Sequence, residues 1–134
     1  MNAEQLESAL RRAFSTAPPE IVAVYLYGSR ARGTATARSD VDLGVLYTAP
    51  PSPSLETLPF DIEAELERGL GAPVEIVVLN DAPVDLVHRV LRDGTLLLDR
   101  DPPRRIRFEV KARNEFFDLQ PLLARYRAGP PPAP

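Results

Sequence analysis

The sequence predicts a single α/β (α+β) domain, and three observations predict it. Short β-branched runs alternate with amphipathic stretches of helical period along most of the chain. Glycine and proline punctuate each change of period. The 134 residues suit one core, and 44% hydrophobic with 26% charged residues is the composition of a globular domain rather than a disordered chain.

Residues 1–15 read as the first helix. Leu6, Leu10 and Phe14 recur every fourth residue beside Ala9 and Ala13, with charge on the other face. Pro18-Pro19 stops it. Ile21–Tyr27 (IVAVYLY) is a continuous apolar and aromatic run, as in a strand covered on both faces. Gly28-Ser29 breaks that run. Val41–Tyr47 (VDLGVLY) is a second strand, with Val41, Leu43 and Val45 on one face and Asp42 and Gly44 on the other.

A turn-rich connection over 49–54 leads to a helix over 58–70, apolar at Phe60, Ile62, Leu66 and Leu70 and acidic outside. Gly71 is its C-cap. Residues 74–79 (VEIVVL) form a third strand. A helix follows over 84–92 with Val84, Val87, Val90 and Leu91 inward, and Gly94 ends it. Residues 95–98 make a short edge strand, and a long helix over about 104–126 is interrupted or bent at Pro121. The domain is expected over residues 1–127, with a flexible Pro-rich tail over 128–134.

Composition then excludes several chemistries. Nothing approaches ~18 consecutive apolar residues, so no membrane span is expected. The first twenty residues carry acids at helical period rather than a signal-peptide block, which makes a cytoplasmic location the expectation. Without cysteine there are no disulfides, no thiol catalysis and no Cys-ligated zinc. A lone histidine, His88, excludes multi-His metal sites, argues against a Ser/His triad, and reads as structural. A net charge of −3 gives no reason to expect direct nucleic-acid binding.

The informative stretch is GSRARGTATARSDVD, Gly28 to Asp42. Gly28 lets the backbone turn without a Cβ, Ser29 caps the next helical turn, and amides at such a start attract an anion. Arg30, Arg32 and Arg38 add positive charge there, although a solvated helix face also accounts for Arg30 and Arg32. Ser39 reads as a cap into Asp40. Asp40 and Asp42, two apart on extended backbone, point to one face and repel each other unless a cation lies between them. All-oxygen donors select Mg²⁺ or Mn²⁺. A phosphate-cradling turn beside a carboxylate pair indicates metal-assisted phosphoryl or nucleotidyl transfer.

Gly28-Ser29, ten residues, then Asp40-Val41-Asp42 resembles the signature of the DNA-polymerase-β-like nucleotidyltransferase superfamily. GSRARGTATARSDVDLGVL, VEIVVLNDAP and NEFFDLQPLLARY are similar to its minimal nucleotidyltransferase (MNT) group, so the likeness covers about residues 20–126. The resemblance implies the nucleotidyltransferase fold with a small mixed sheet flanked by helices, two Mg²⁺ ions (Mn²⁺ as substitute) on three carboxylates, and ATP as substrate. By that likeness Asp40 and Asp42 bridge both ions. Glu75, standing where the family usually has Asp, binds the ion beside the attacking hydroxyl. Gly28, Ser29, Arg30, Arg32 and Ser39 hold the nucleotide.

Many MNT proteins are antitoxins of HEPN ribonuclease toxins, and some transfer AMP to a toxin tyrosine. The expected partner is therefore a HEPN protein. Apolar residues of the last helix exceed one stripe, and Phe116 and Tyr126 mark the expected docking surface. The alternative is that this helix packs its whole apolar girth on its own domain. Adenylylation of a small-molecule hydroxyl, and neutralisation by binding alone, are the competing functions.

Overall fold

The computed structural model describes residues 2–32, 40–50 and 57–127. Helix α1 (Ala3–Ser15) opens on a capping box. The Asn2 side chain accepts from the Gln5 amide at 2.8 Å, and the Asn2 amide donates back to Gln5 Oε1 at 2.9 Å. Its stripe of Leu6, Leu10 and Phe14 is buried. Strand β1 (Ile21–Tyr27) follows, then a single helical turn α2 (Ser29–Arg32), strand β2 (Val41–Tyr47) and helix α3 (Thr57–Leu70). The remaining elements are β3 (Val74–Val78), α4 (Val84–Asp93), β4 (Thr95–Asp99) and α5 (Pro102–Arg127).

The sheet order is β3-β2-β1-β4. β1 runs antiparallel to β2 and β4, and β2 runs parallel to β3, so the sheet is mixed as expected, with β4 at an edge. Residues of α1 and α3 pack with Ile21, Val41, Leu43 and Val45 on one face. Residues of α4 and α5 pack with Ala23, Tyr25 and Leu46 on the other.

β3 ends one residue earlier than its apolar run, because Leu79 turns into a 3₁₀ helix, Leu79–Asp81. Asn80 then stands in for the missing strand. Its side chain accepts from the Tyr47 amide and donates to the Tyr47 carbonyl, both at 2.9 Å.

The last helix differs from its sequence expectation. It starts at Pro102, where prolines lack the amides that a first turn leaves unpaired anyway, and Asp101 accepts from the Arg104 amide at 3.2 Å. It also runs through Pro121 without interruption. The carbonyl that Pro121 cannot bond belongs to Phe117, a residue that is 65% exposed. The helix is anchored by a polar network rather than by apolar packing alone. Tyr25 donates to Glu109 at 2.8 Å, and Arg105 bonds Glu109 at 3.1 Å and Asp99 at 3.0 Å. Burial, then the Glu109 contact, drives the Tyr25 phenol pKa upward, so it remains a donor.

One arginine ties the α1–β1 join to the far end of β4. The Arg100 guanidinium donates to the carbonyls of Pro18 (2.6 Å), Ala17 (2.9 Å), Phe14 (3.2 Å), Ile21 (3.3 Å) and Ser15 (3.5 Å). These carbonyls include the C-terminal ones that a helix end leaves unpaired. Arg100→Ala is expected to lower the unfolding free energy by about 1.5–3 kcal/mol, measured by urea denaturation.

Candidate functional site

The strand register assembles the site. Tyr27 of β1 pairs with Asp42 of β2, and Asp42 pairs with Glu75 of β3. Directly paired residues share a face, so the three form a row across three strands where β1 ends and β2 and β3 begin. Tyr27 and Asp42 are half-buried, and Glu75 is exposed on the edge strand. Asp40 stands exposed just ahead of β2, and the Val41 amide between the two aspartates bonds the Pro73 carbonyl at 2.8 Å.

Gly28 lies immediately under this row. Its φ of +76° is left-handed, and a Cβ there would come within 2.5 Å of Asp42 Oδ2. Any other residue would strain the turn and displace the carboxylate. Ser29 and Arg30 follow as half-buried residues in α2. Ser39 and the side chain of Arg32 lie outside the described residues.

Tyr27, which on sequence alone reads as core, is part of the site wall. Its phenol pKa is pushed up to about 12, chiefly by burial, then by the Asp42 and Glu75 carboxylates, with Arg89 of α4 opposing. It is therefore a neutral donor at physiological pH. Arg89 is the second participant that sequence reasoning missed. An exposed arginine on a helix carries no signal until tertiary packing brings it to the row.

The register sets Asp42 and Glu75 side by side, with Asp40 just ahead of β2. Among the described residues no group of three His, Cys, Asp or Glu side chains is placed to hold an ion. Asp40 is exposed just ahead of β2, and Glu75 is exposed on the edge strand. The donor chemistry still suits Mg²⁺, which binds through one or two carboxylates plus phosphate oxygens and water rather than through a closed protein cage.

The expected docking residues separate. Phe116 stacks flat on His88, with ring centroids 3.6 Å apart and planes 2° off parallel, so it joins α5 to α4. His88 thus has the structural role expected of it. Tyr126 is 87% exposed, and Phe117 and Leu122 are 65% and 60% exposed.

The Polymerase beta, Nucleotidyltransferase family profile matches residues 8–103. Among solved structures, one assigned to a minimal nucleotidyltransferase is 30% identical, with a TM-score of 0.57 over 71% of this chain and 95% of the other. A toxin–antitoxin structure with AMP-PNP is 22% identical, with a TM-score of 0.71 over 88% of this chain and 95% of the other. A chain from the tri-AMPylated Shewanella oneidensis HEPN toxin in complex with MNT antitoxin is 19% identical, with a TM-score of 0.68 over 91% and 96%. The last two likenesses carry the fold alone. No curated protein sequence matches the chain.

The contact between residue 28 and Asp42 is directly testable. Gly28→Ala should cost about 1–3 kcal/mol in chemical denaturation. Adding Asp42→Ala should recover part of that loss, because the clash partner is gone. Simple additivity of the two changes would contradict the contact.

Proposed function

Because the chain belongs to the polymerase beta nucleotidyltransferase family, and to its minimal members, we propose that it transfers AMP from ATP to a tyrosine of a HEPN toxin. It would thereby act as that toxin's antitoxin. The observation that carries the reading is the Asp42–Glu75 pairing over Gly28, a carboxylate row beside a glycine turn. The fold neighbours solved with AMP-PNP, and with an AMPylated toxin, support the choice of nucleotide and acceptor.

Each residue takes one role in this reading. Asp40 and Asp42, with Glu75, would hold Mg²⁺, which when bound neutralises triphosphate charge. Gly28 and Ser29 cradle the phosphates, with Arg30, Arg32 and Ser39 flanking them. The tyrosine oxygen bonds to the α-phosphorus, the α–β anhydride bond breaks, and pyrophosphate leaves with the bonding electrons. The tyrosine proton passes to Glu75. Tyr27, neutral at physiological pH, offers a hydrogen-bond donor at the wall of the row. In this reading, positioning of the acceptor hydroxyl comes from the docked protein. Tyr126 and Leu122 of α5 supply that surface, with Phe116 supporting it from beneath through His88.

Intact-mass spectrometry of the toxin after mixing with this protein and Mg-ATP should show added AMP units, with loss of ribonuclease activity. Asp40→Asn and Asp42→Asn should each abolish the added mass. Glu75→Gln should still bind ATP but lose about 10²-fold or more in kcat. Silencing of the toxin by the Asp40→Asn/Asp42→Asn double variant, without added mass, would replace transfer by steric neutralisation. Transfer to a small-molecule hydroxyl with none to protein would identify the other enzyme class.

A further inference from the structure

The acidic side of α3 is used, and its use bears on Glu75. β3 is an edge strand, so alternate amides along it face away from β2 and need another acceptor. Two of these, Val74 and Ile76, flank Glu75. The Val74 amide donates to Glu67 Oε1 at 2.9 Å, and the Ile76 amide donates to Glu63 Oε1 at 2.7 Å. Both acceptors come from α3.

The spacing explains why a helix can do this. Residues four apart on a helix rise about 6 Å, and residues two apart on a strand rise about 6.6 Å. Glu63 and Glu67 therefore match the two outward amides, and the turn at Gly71 (φ +68°) brings α3 back antiparallel to the strand. The bonds join carboxylates to amides, the stronger charge-assisted class. On its other side, β3 keeps Glu75 in register with Asp42.

We propose that Glu63 and Glu67 are positioning residues that clamp β3 on both sides of Glu75 and hold it in register with Asp42. The inference rests on the role given to Glu75 under the proposed function. Without the clamp the edge strand frays at the residue the reaction needs, while the phosphate cradle around Gly28 is untouched. The clamp should therefore act on turnover rather than on nucleotide binding.

The test compares Glu63→Ala/Glu67→Ala with Glu63→Gln/Glu67→Gln in the full chain, because glutamine keeps the accepting oxygen. Hydrogen exchange at the Val74 and Ile76 amides should speed up about tenfold or more in the alanine pair and change little in the glutamine pair. In AMP transfer to the toxin, the alanine pair should lose about tenfold or more in kcat with KM for ATP within about twofold, and the glutamine pair should stay near wild type. In a Glu75→Gln background the alanine pair should cause no further loss. Faster exchange with unchanged kcat, or an equal fractional loss in the Glu75→Gln background, would reduce the clamp to a stability device and overturn the proposal. A glutamine pair as impaired as the alanine pair would overturn it too, and carries the test should the alanine pair not fold. Wild-type transfer by Glu75→Gln alone would instead overturn the role of Glu75, and with it this inference.

Discussion

The pairing of Asp42 with Tyr27 on one side and Glu75 on the other is the constraint on which the site depends. Side chains alternate faces along a strand, so a slip of one residue would turn Asp42 toward α1 and α3 and leave Val41 in the row. Several separate contacts prevent that slip. The Val41 amide bonds the Pro73 carbonyl at the start of the β2–β3 pair, and Asn80 brackets the Tyr47 backbone at its end. Gly28 closes against the Asp42 carboxylate from the adjoining turn. Register, turn and carboxylate position are thus one arrangement.

The two faces of the sheet are held differently. The α1–α3 face is joined by apolar packing, with Leu10, Phe14, Ile21 and Leu43 almost fully inaccessible. On the α4–α5 face, the apolar packing of Phe108 and Ala112 is joined by contacts among Tyr25, Glu109, Arg105 and Asp99 and by the His88–Phe116 stack. The outer turns of α5 also carry exposed apolar side chains. Phe117, Leu122 and Tyr126 are such residues. Among the described residues, no helix is long and apolar enough to cross a membrane.

Local order was legible in the sequence. Most elements announce themselves by period and by a nearby proline or glycine, and Ile21–Tyr27 and Val41–Tyr47 occupy the residues their patterns mark. The carboxylates were legible because Gly-Ser and Asp-x-Asp recur together for a chemical reason. Side-chain choices made across the fold were not legible. Tyr27 looks like one more strand aromatic until β1 is registered against β2. Glu63 and Glu67 look like a solvated helix face until α3 is set against the open edge of β3. Pro121 reads as an interruption or a bend, yet the helix runs on to Arg127 past an exposed stretch. Phe116 reads as surplus because its partner, His88, lies on another helix.

The central claim is that the Asp42 row binds a metal–nucleotide complex, and a thermal melt tests it most directly. Only the native state has the row, so a bound ligand must raise the melting temperature by mass action. The melt should rise with saturating Mg-ATP, rise less with ATP in the presence of chelator, and not move for Asp42→Asn under the same conditions. An unchanged melting temperature of the wild-type protein in saturating Mg-ATP, or an equal rise in Asp42→Asn, would contradict the account.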